Sequence, residues 1–265
     1  MIKKNGFLPA QPLVEFTTLG FHHQVTPFSR ACAQYYTHEV SKDADQKIVI
    51  VPDGTIDILF KISDSSVDSH VCGAVKKATL RRFNQGCSYF GVRLKPGTAN
   101  KLIDLPIDII TEDCIESNNI LKDVEKLKEG FINSRSFKEK VFLFEEYLNL
   151  NINDDTPTSS LVSFVLEYIH KKNGELKMKE LSELTHYTSN YIYKCFLKET
   201  GVSPKHYARV VRFQSCLNLF KESSKTNLTG IASESGYYDQ AHFINEFKEF
   251  TSFTPTQLQE FFHSL

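Results

Sequence analysis

The second half of this 265-residue chain repeats itself. Leu181-Ser182 with His186 recurs as Ile231-Ala232 with Gly236, at an offset of 50. Past the turn the offset becomes 51, carrying Ile192 to Phe243, Phe196 to Phe247 and Pro204 to Pro255. One extra residue in the second turn accounts for the change. A duplicated unit constrains the fold because both copies must obey the same packing rules. Each copy reads as an amphipathic helix, a short turn, and a second helix ending near Gly201 or Ser252. Ser203-Pro204 and Thr254-Pro255 then open the following helices, a hydroxyl N-cap before a proline. Small Ser182 and Ala232 stand where two helices approach, and Gly236 suits a left-handed turn. This is the layout of a helix-turn-helix, whose second helix can enter a major groove.

Residues 203–223 read as one connecting helix, packed through Tyr207, Val211, Leu217 and Phe220. A stiff connector would hold both second helices on one face, about 34 Å apart. In the first unit Thr188 is the N-cap of a helix over 189–200, and Ile192, Cys195 and Phe196 share its apolar face. Asn190, Tyr193 and Lys194 then face outward. Asn can bond adenine twice, Lys can donate to guanine, and Tyr can meet a thymine methyl or a phosphate. In the second unit Phe243 and Phe247 point inward, leaving Gln240, His242 and Asn245 outside. The bland alternative is a solvated helix face, and for His242 a structural hydrogen bond.

Phosphates need cations, and residues 157–265 hold twelve basic against eleven acidic side chains. The positive charge must therefore concentrate on one side, with Lys194, Lys198, Lys205, Arg209, Arg212 and Lys248 as candidates. Arg212, on the connecting helix, could instead bridge the two units. The whole chain carries a formal charge of −1, which excludes a function resting on bulk charge.

The first half has a different period. Runs at 47–51, 55–60, 70–75, 78–83 and 88–94 read as strands, the first two as neighbours joined by the turn Pro52-Asp53-Gly54. Such a series indicates a small β-sandwich or barrel. Residues 136–150 form a helix with one apolar stripe, which either packs on its own domain or pairs with a second copy as a homodimer. The polar, proline-containing stretch 151–160 reads as a linker, giving a β-rich sensor or oligomerisation domain over 1–150 and a helical domain over 161–265.

A barrel of this kind can enclose a ligand pocket, for which Asp57, Arg82, Tyr89 and Arg93 are candidates. Asp57 with Arg93 could equally be an ordinary ion pair. His22-His23 would point to opposite faces of a strand, so no metal or cofactor is expected. The six cysteines form no C-x-x-C pair and read as reduced, buried hydrophobes, with a thiol-oxidation sensor through Cys72 or Cys87 as the rival. No run is long enough to span a bilayer and no signal peptide is visible, so a cytoplasmic location with no membrane partner is expected. No nucleophile elbow or phosphate loop is present, and an enzyme, namely a sugar-processing barrel fused to a helical domain, is the reading that the residues disfavour.

Several of these residues together resemble a known family. Gly201-Val-Ser-Pro204 with Tyr207, Arg212 with Cys216, Leu219 and Phe220, Ile231-Ala232, Gly236-Tyr237, Asp239-Gln240, His242-Phe243, Phe247-Lys248 and Thr254-Pro255 resemble the tandem helix-turn-helix domain of the AraC/XylS transcriptional regulators. Pro52-Asp53-Gly54-Thr-Ile-Asp57 and Gly91-Val-Arg93-Leu-Lys-Pro96-Gly97 are similar to the sensor domain of one subset of that family. His186, Asn245 and Ser252 depart from the usual Gly, Arg and Gly. The resemblance implies an α+β chain: a cupin-like N-terminal β-sandwich or barrel with flanking helices, then an all-α domain of two helix-turn-helix units. It implies base reading by Asn190, Tyr193 and Lys194, and as partners double-stranded promoter DNA, an unknown small-molecule effector and RNA polymerase.

Overall fold

A computed structural model describes residues 9–43, 45–110, 114–153, 155, 158–222, 230, 235–237 and 239–263. The first half opens with a short helix, α1 (Pro12–Thr17), and continues through eight strands. These are β1 (Leu19–Val25), β2 (Cys32–Glu39), β3 (Gln46–Ile50), β4 (Asp57–Ile62), β5 (Val67–Cys72), β6 (Thr79–Phe83), β7 (Ser88–Leu94) and β8 (Cys114–Glu116). Six pair in the order β1-β2-β7-β4-β5-β8, and β3 pairs with β6 in a second sheet. The expected hairpin over 47–60 is therefore corrected: β3 and β4 belong to different sheets. Pro52-Asp53-Gly54 carries the chain between them, anchored by long-range bonds from Gln11 to Val51 and Asp53 rather than by a local strand pair.

One face of the six-stranded sheet packs under α2 (Val124–Asn133) and α3 (Phe137–Asn151). Tyr35, Phe60 and Phe90 of the sheet meet Phe131 and Phe144 of these helices in a buried aromatic cluster. Such edge-to-face contacts add about 0.5–1.5 kcal/mol each beyond area burial. Gly91 lies in the centre of β7, where a Cβ would fall within 2.0 Å of the Tyr36 ring. Only glycine lets that ring cross the sheet.

The second half is helical: α4 (Ser160–Lys171), α5 (Met178–Thr185), α6 (Ser189–Thr200), α7 (Pro204–Glu222), α8 (Gln240–Thr251) and α9 (Pro255–His263). Ile231 and Ala232, which carry the repeat in sequence, lie outside the described residues, as does the Phe220 side chain. Elsewhere the duplication persists in individual bonds. Thr188 and Asp239 are N-caps whose side chains accept from the backbone N–H of Tyr191 and His242. Thr200 donates to the carbonyl of Phe196, and Thr251 to that of Phe247. His186 and Gly236 both turn left-handed, at φ 59° and 75°, as do Gly201 and Ser252, at 77° and 65°. Where the sequence departs from glycine, the backbone has not.

A left-handed φ costs a side-chain-bearing residue about 1–2 kcal/mol, partly offset by the freedom glycine adds to the unfolded chain. Ser252→Gly is therefore expected to stabilise the chain by about 0.5–1 kcal/mol, measured as a higher urea midpoint at unchanged slope. An equal or lower midpoint would show that the Ser252 side chain compensates its own strain.

The two halves share a core. Ile48, Ile50, Leu59 and Phe83 of the strands pack in one cluster with Val210, Phe213 and Leu217 of α7 and Phe243, Phe247 and Phe250 of α8. Gln214 of α7 donates to the Pro52 carbonyl at 2.7 Å and accepts from the Ala10 N–H at 2.8 Å. At Gly54, φ is 71° and a Cβ would stand 2.6 Å from the Tyr207 ring, so the turn touches the connector directly.

Candidate nucleic-acid interface and the cavity behind it

Helix α6 buries Ile192 and Phe196, and that choice of inner face fixes the outer one. Asn190, Tyr193 and Lys194 are exposed together in its first half, the part of a recognition helix that reaches base edges. Tyr191, also exposed, stacks on Tyr187 with ring centroids 4.9 Å apart. Sequence reasoning missed this aromatic pair, although two tyrosines four apart across a helix start were the signal. Helix α8 buries Phe243 and Phe247 and exposes Gln240, His242 and Asn245. His242 Nε2 lies 3.9 Å from Glu246, a link within its own helix.

The phosphate candidates divide in two. Lys194, Lys198, Lys205 and Lys248 are exposed. Arg209 and Arg212 are instead engaged inside the protein, around a Glu246 that is only 3% exposed. Arg209 Nε donates to Glu246 at 2.6 Å, and its Nη2 to Glu249 at 2.5 Å. Arg212 reaches Glu246 at 3.3 Å and lies over the Tyr237 ring. A buried carboxylate needs cations, and these two guanidiniums on α7 supply them. They fasten α8 to the connector, so for Arg212 the bridging alternative is the one the geometry adopts.

Behind the connector, the β domain encloses a cavity of about 210 Å³. Asp57 and Arg93 stand on its wall, with Asp53 and Gln11. Arg93 is nearly buried and uses every N–H: Nε and Nη2 reach Asp57 at 3.1 Å, Nη2 also reaches Asp53 at 3.1 Å, and Nη1 reaches Gln34 at 3.0 Å and the Pro9 carbonyl at 3.2 Å. Burial raises the Asp53 carboxyl above its ordinary range, against the lowering pull of Arg93. Tyr36 completes the network by donating to Asp57 at 2.8 Å.

The two remaining ligand candidates lie elsewhere. Arg82 points outward and pairs with Asp45 at 2.5 Å. Tyr89 is buried, and its hydroxyl accepts from the Asn84 N–H at 2.7 Å. It is Arg81, one residue along β6, that lines the cavity. The alternation of strand side chains could have identified it, because Arg81 shares a face with buried Phe83. Cys72 also reaches the wall, and it is bonded to Cys114 in a disulfide between directly paired positions of β5 and β8. This corrects the expectation that all six cysteines are reduced. Cys32, Cys87, Cys195 and Cys216 are free.

Three histidines drawn out of solvent give this architecture an acid limit: buried His38, and half-buried His170 and His206, the last also lowered to about 4 by burial. Burial pulls His38, beside the cavity, and His170, bonded to the Tyr207 hydroxyl, down to about 4 from 6.5. Below pH 6.5 the unfolded chain binds protons that the folded chain excludes, so stability falls as pH drops from about 6.5 toward 4. Urea melts at pH 7 and 5 should show the loss, and His38→Phe should reduce it. An unchanged pH dependence in that variant would assign the loss to other groups.

Residues 181–260 match a family described as a helix-turn-helix domain, and residues 26–116 a domain of unknown function, DUF6597. The msm operon regulatory protein of Streptococcus mutans is 25% identical over 126 residues, covering 47% of this chain and 45% of that protein. A probable AraC family transcriptional regulator of Rhodopseudomonas palustris is 28% identical over 38% of this chain and 96% of the solved one, with TM-score 0.35. ToxT of Vibrio cholerae is 13% identical over 91% of this chain and 98% of its own, with TM-score 0.45. The chain spans less than half the length of the curated relatives it matches. No helix among the described residues is long and apolar enough to cross a membrane. Over residues 181–260 the chain carries a helix-turn-helix domain, similar in sequence to that of proteins named transcriptional regulators.

Proposed function

We propose that this regulator binds a specific promoter sequence through two successive major-groove segments and responds to a small molecule held in its β domain. In this reading residues 161–265 read DNA, 151–160 link, and 1–150 sense the effector or pair subunits. The observation that carries it is the duplicated N-cap, left-handed turn and threonine bond, which repeat one helix-presenting unit on either side of α7. Asn190, Tyr193 and Lys194 read one segment, and Gln240, His242 and Asn245 the other. Lys198, Lys205 and Lys248 meet phosphates, each adding about −0.9 to the salt slope. The regulator acts in the cytoplasm by changing how the readers are presented or by contacting RNA polymerase.

Recovering bound fragments from the native cell and footprinting one of them tests the reading. Protection over about two helical turns is expected. Binding that is indifferent to sequence would contradict it. A second reading, thiol-controlled output, is favoured by the Cys72–Cys114 disulfide on the cavity wall. Promoter output unchanged by Cys72→Ser with Cys114→Ser, at normal protein level, would dismiss it.

A further inference from the structure

We propose that the cavity takes a compact organic monoanion, with Arg81 as its counter-ion and His38 as its second polar partner. The inference rests on the reading that the β domain senses a small molecule, and it names the chemistry of that molecule. Unlike Arg93, whose donors are all used, Arg81 has no acidic partner among the described residues, and its buried Nη2 has no hydrogen-bond acceptor. His38 is fully buried, and both its ring nitrogens lack partners. Buried polar atoms without partners are rare in native proteins, and each costs about 1–3 kcal/mol. Two such side chains on one cavity wall mark a place where an occupant supplies what the protein lacks.

The residue types define that occupant. A guanidinium fork matches the two oxygens of a carboxylate or a phosphate ester. His38 is neutral near pH 7, because burial disfavours its cation, and so offers one N–H to the same head group. The acids on the wall do not compete for Arg81. Asp53 and Asp57 are held by Arg93, and Glu15 has a partner of its own. Phe21, Ile50, Leu59, Val75 and Phe83 form an apolar part of the same lining, which suits a short apolar remainder of the ligand. A volume of about 210 Å³ lies below the ~300 Å³ at which drug-sized sites begin, which favours a short acid over a long chain. Asn218 of α7 stands on the same wall, so an occupant meets the connector between the two readers.

The full chain should be titrated calorimetrically with hexanoate and with its neutral isostere hexanamide, alongside thermal melts. Hexanoate is expected to bind at least about tenfold more tightly than the amide. Arg81→Met should abolish the preference, and Arg81→Lys should restore part of it. Melts without ligand establish that each variant is folded, and the lysine variant keeps the charge should the methionine variant unfold. Equal binding of acid and amide, undiminished hexanoate affinity in Arg81→Met, or no binding at millimolar concentration would each overturn the proposal. Gel shifts on the same samples separate the two readings. Loss of specific DNA binding by the wild type counts against the regulator's proposed function, whereas loss of hexanoate selectivity alone counts against the anion site.

Discussion

Arg93→Met is expected to lower the unfolding free energy by about 3–5 kcal/mol, the usual cost of removing one partner from a buried ion pair. Methionine fills much of the arginine's volume, so the loss comes from charge rather than packing. The substitution strands Asp53, buried between β3 and β4, and Asp57 at the start of β4, and it frees the Gln34 and Pro9 oxygens that the guanidinium satisfied. The destabilisation should shrink as pH falls from 7 toward 5, because burial already raises the Asp53 carboxyl and the loss of Arg93 removes the pull that lowers it. Urea melts at both pH values check this. A loss under about 1 kcal/mol at pH 7 would show that water reaches the pair and that the network is not closed.

Asn190→Ala with Lys194→Ala is expected to weaken specific DNA binding at least about thirtyfold, since a good base contact contributes about 1–3 kcal/mol. Both side chains are exposed on α6, so the fold should be nearly untouched. Binding to unrelated DNA should fall far less, by the share of one phosphate-attracting charge. Fluorescence anisotropy on specific and random duplexes, at one stated salt concentration, measures both. Full specific affinity in the double variant would remove α6 from the interface. Arg209 and Arg212 give a contrasting pattern: their replacement should loosen α8 from α7 and reduce stability along with binding.

Local patterns carried much of this structure. Strand β7 runs Ser88–Leu94 as its aromatic and β-branched run implied, and α3 begins at Phe137 because Ser136 caps it. The inner and outer faces of α6 and α8 followed from the repeat, since Phe196 and Phe247 occupy equivalent buried positions. What failed was long-range. Pro52-Asp53-Gly54 has the composition of a hairpin turn, yet Asp53 answers to Gln11 and Arg93, and the chain crosses to the other sheet instead. Cys72 and Cys114 are 42 residues apart, and only the β5–β8 register brings them together.

The exchange of Arg82 for Arg81 has a different cause. A one-residue change of register moves a strand side chain to the opposite face, so adjacent arginines have opposite fates. Leu80, 60% exposed, obscured the pattern by putting an apolar residue on the solvent side. Arg209 reads as a free cation, and Arg212 as either a cation or a bridge, because Glu246 lies more than thirty residues away. Nothing local signals that a carboxylate on α8 will be buried between them.

In the proposed function α7 holds two readers at a fixed spacing and phase. Inserting five base pairs between the two contacted segments turns one of them about half a helical turn away. Affinity is expected to fall to that of a duplex carrying a single segment. Affinity unchanged by the insertion would mean that the units do not read DNA together.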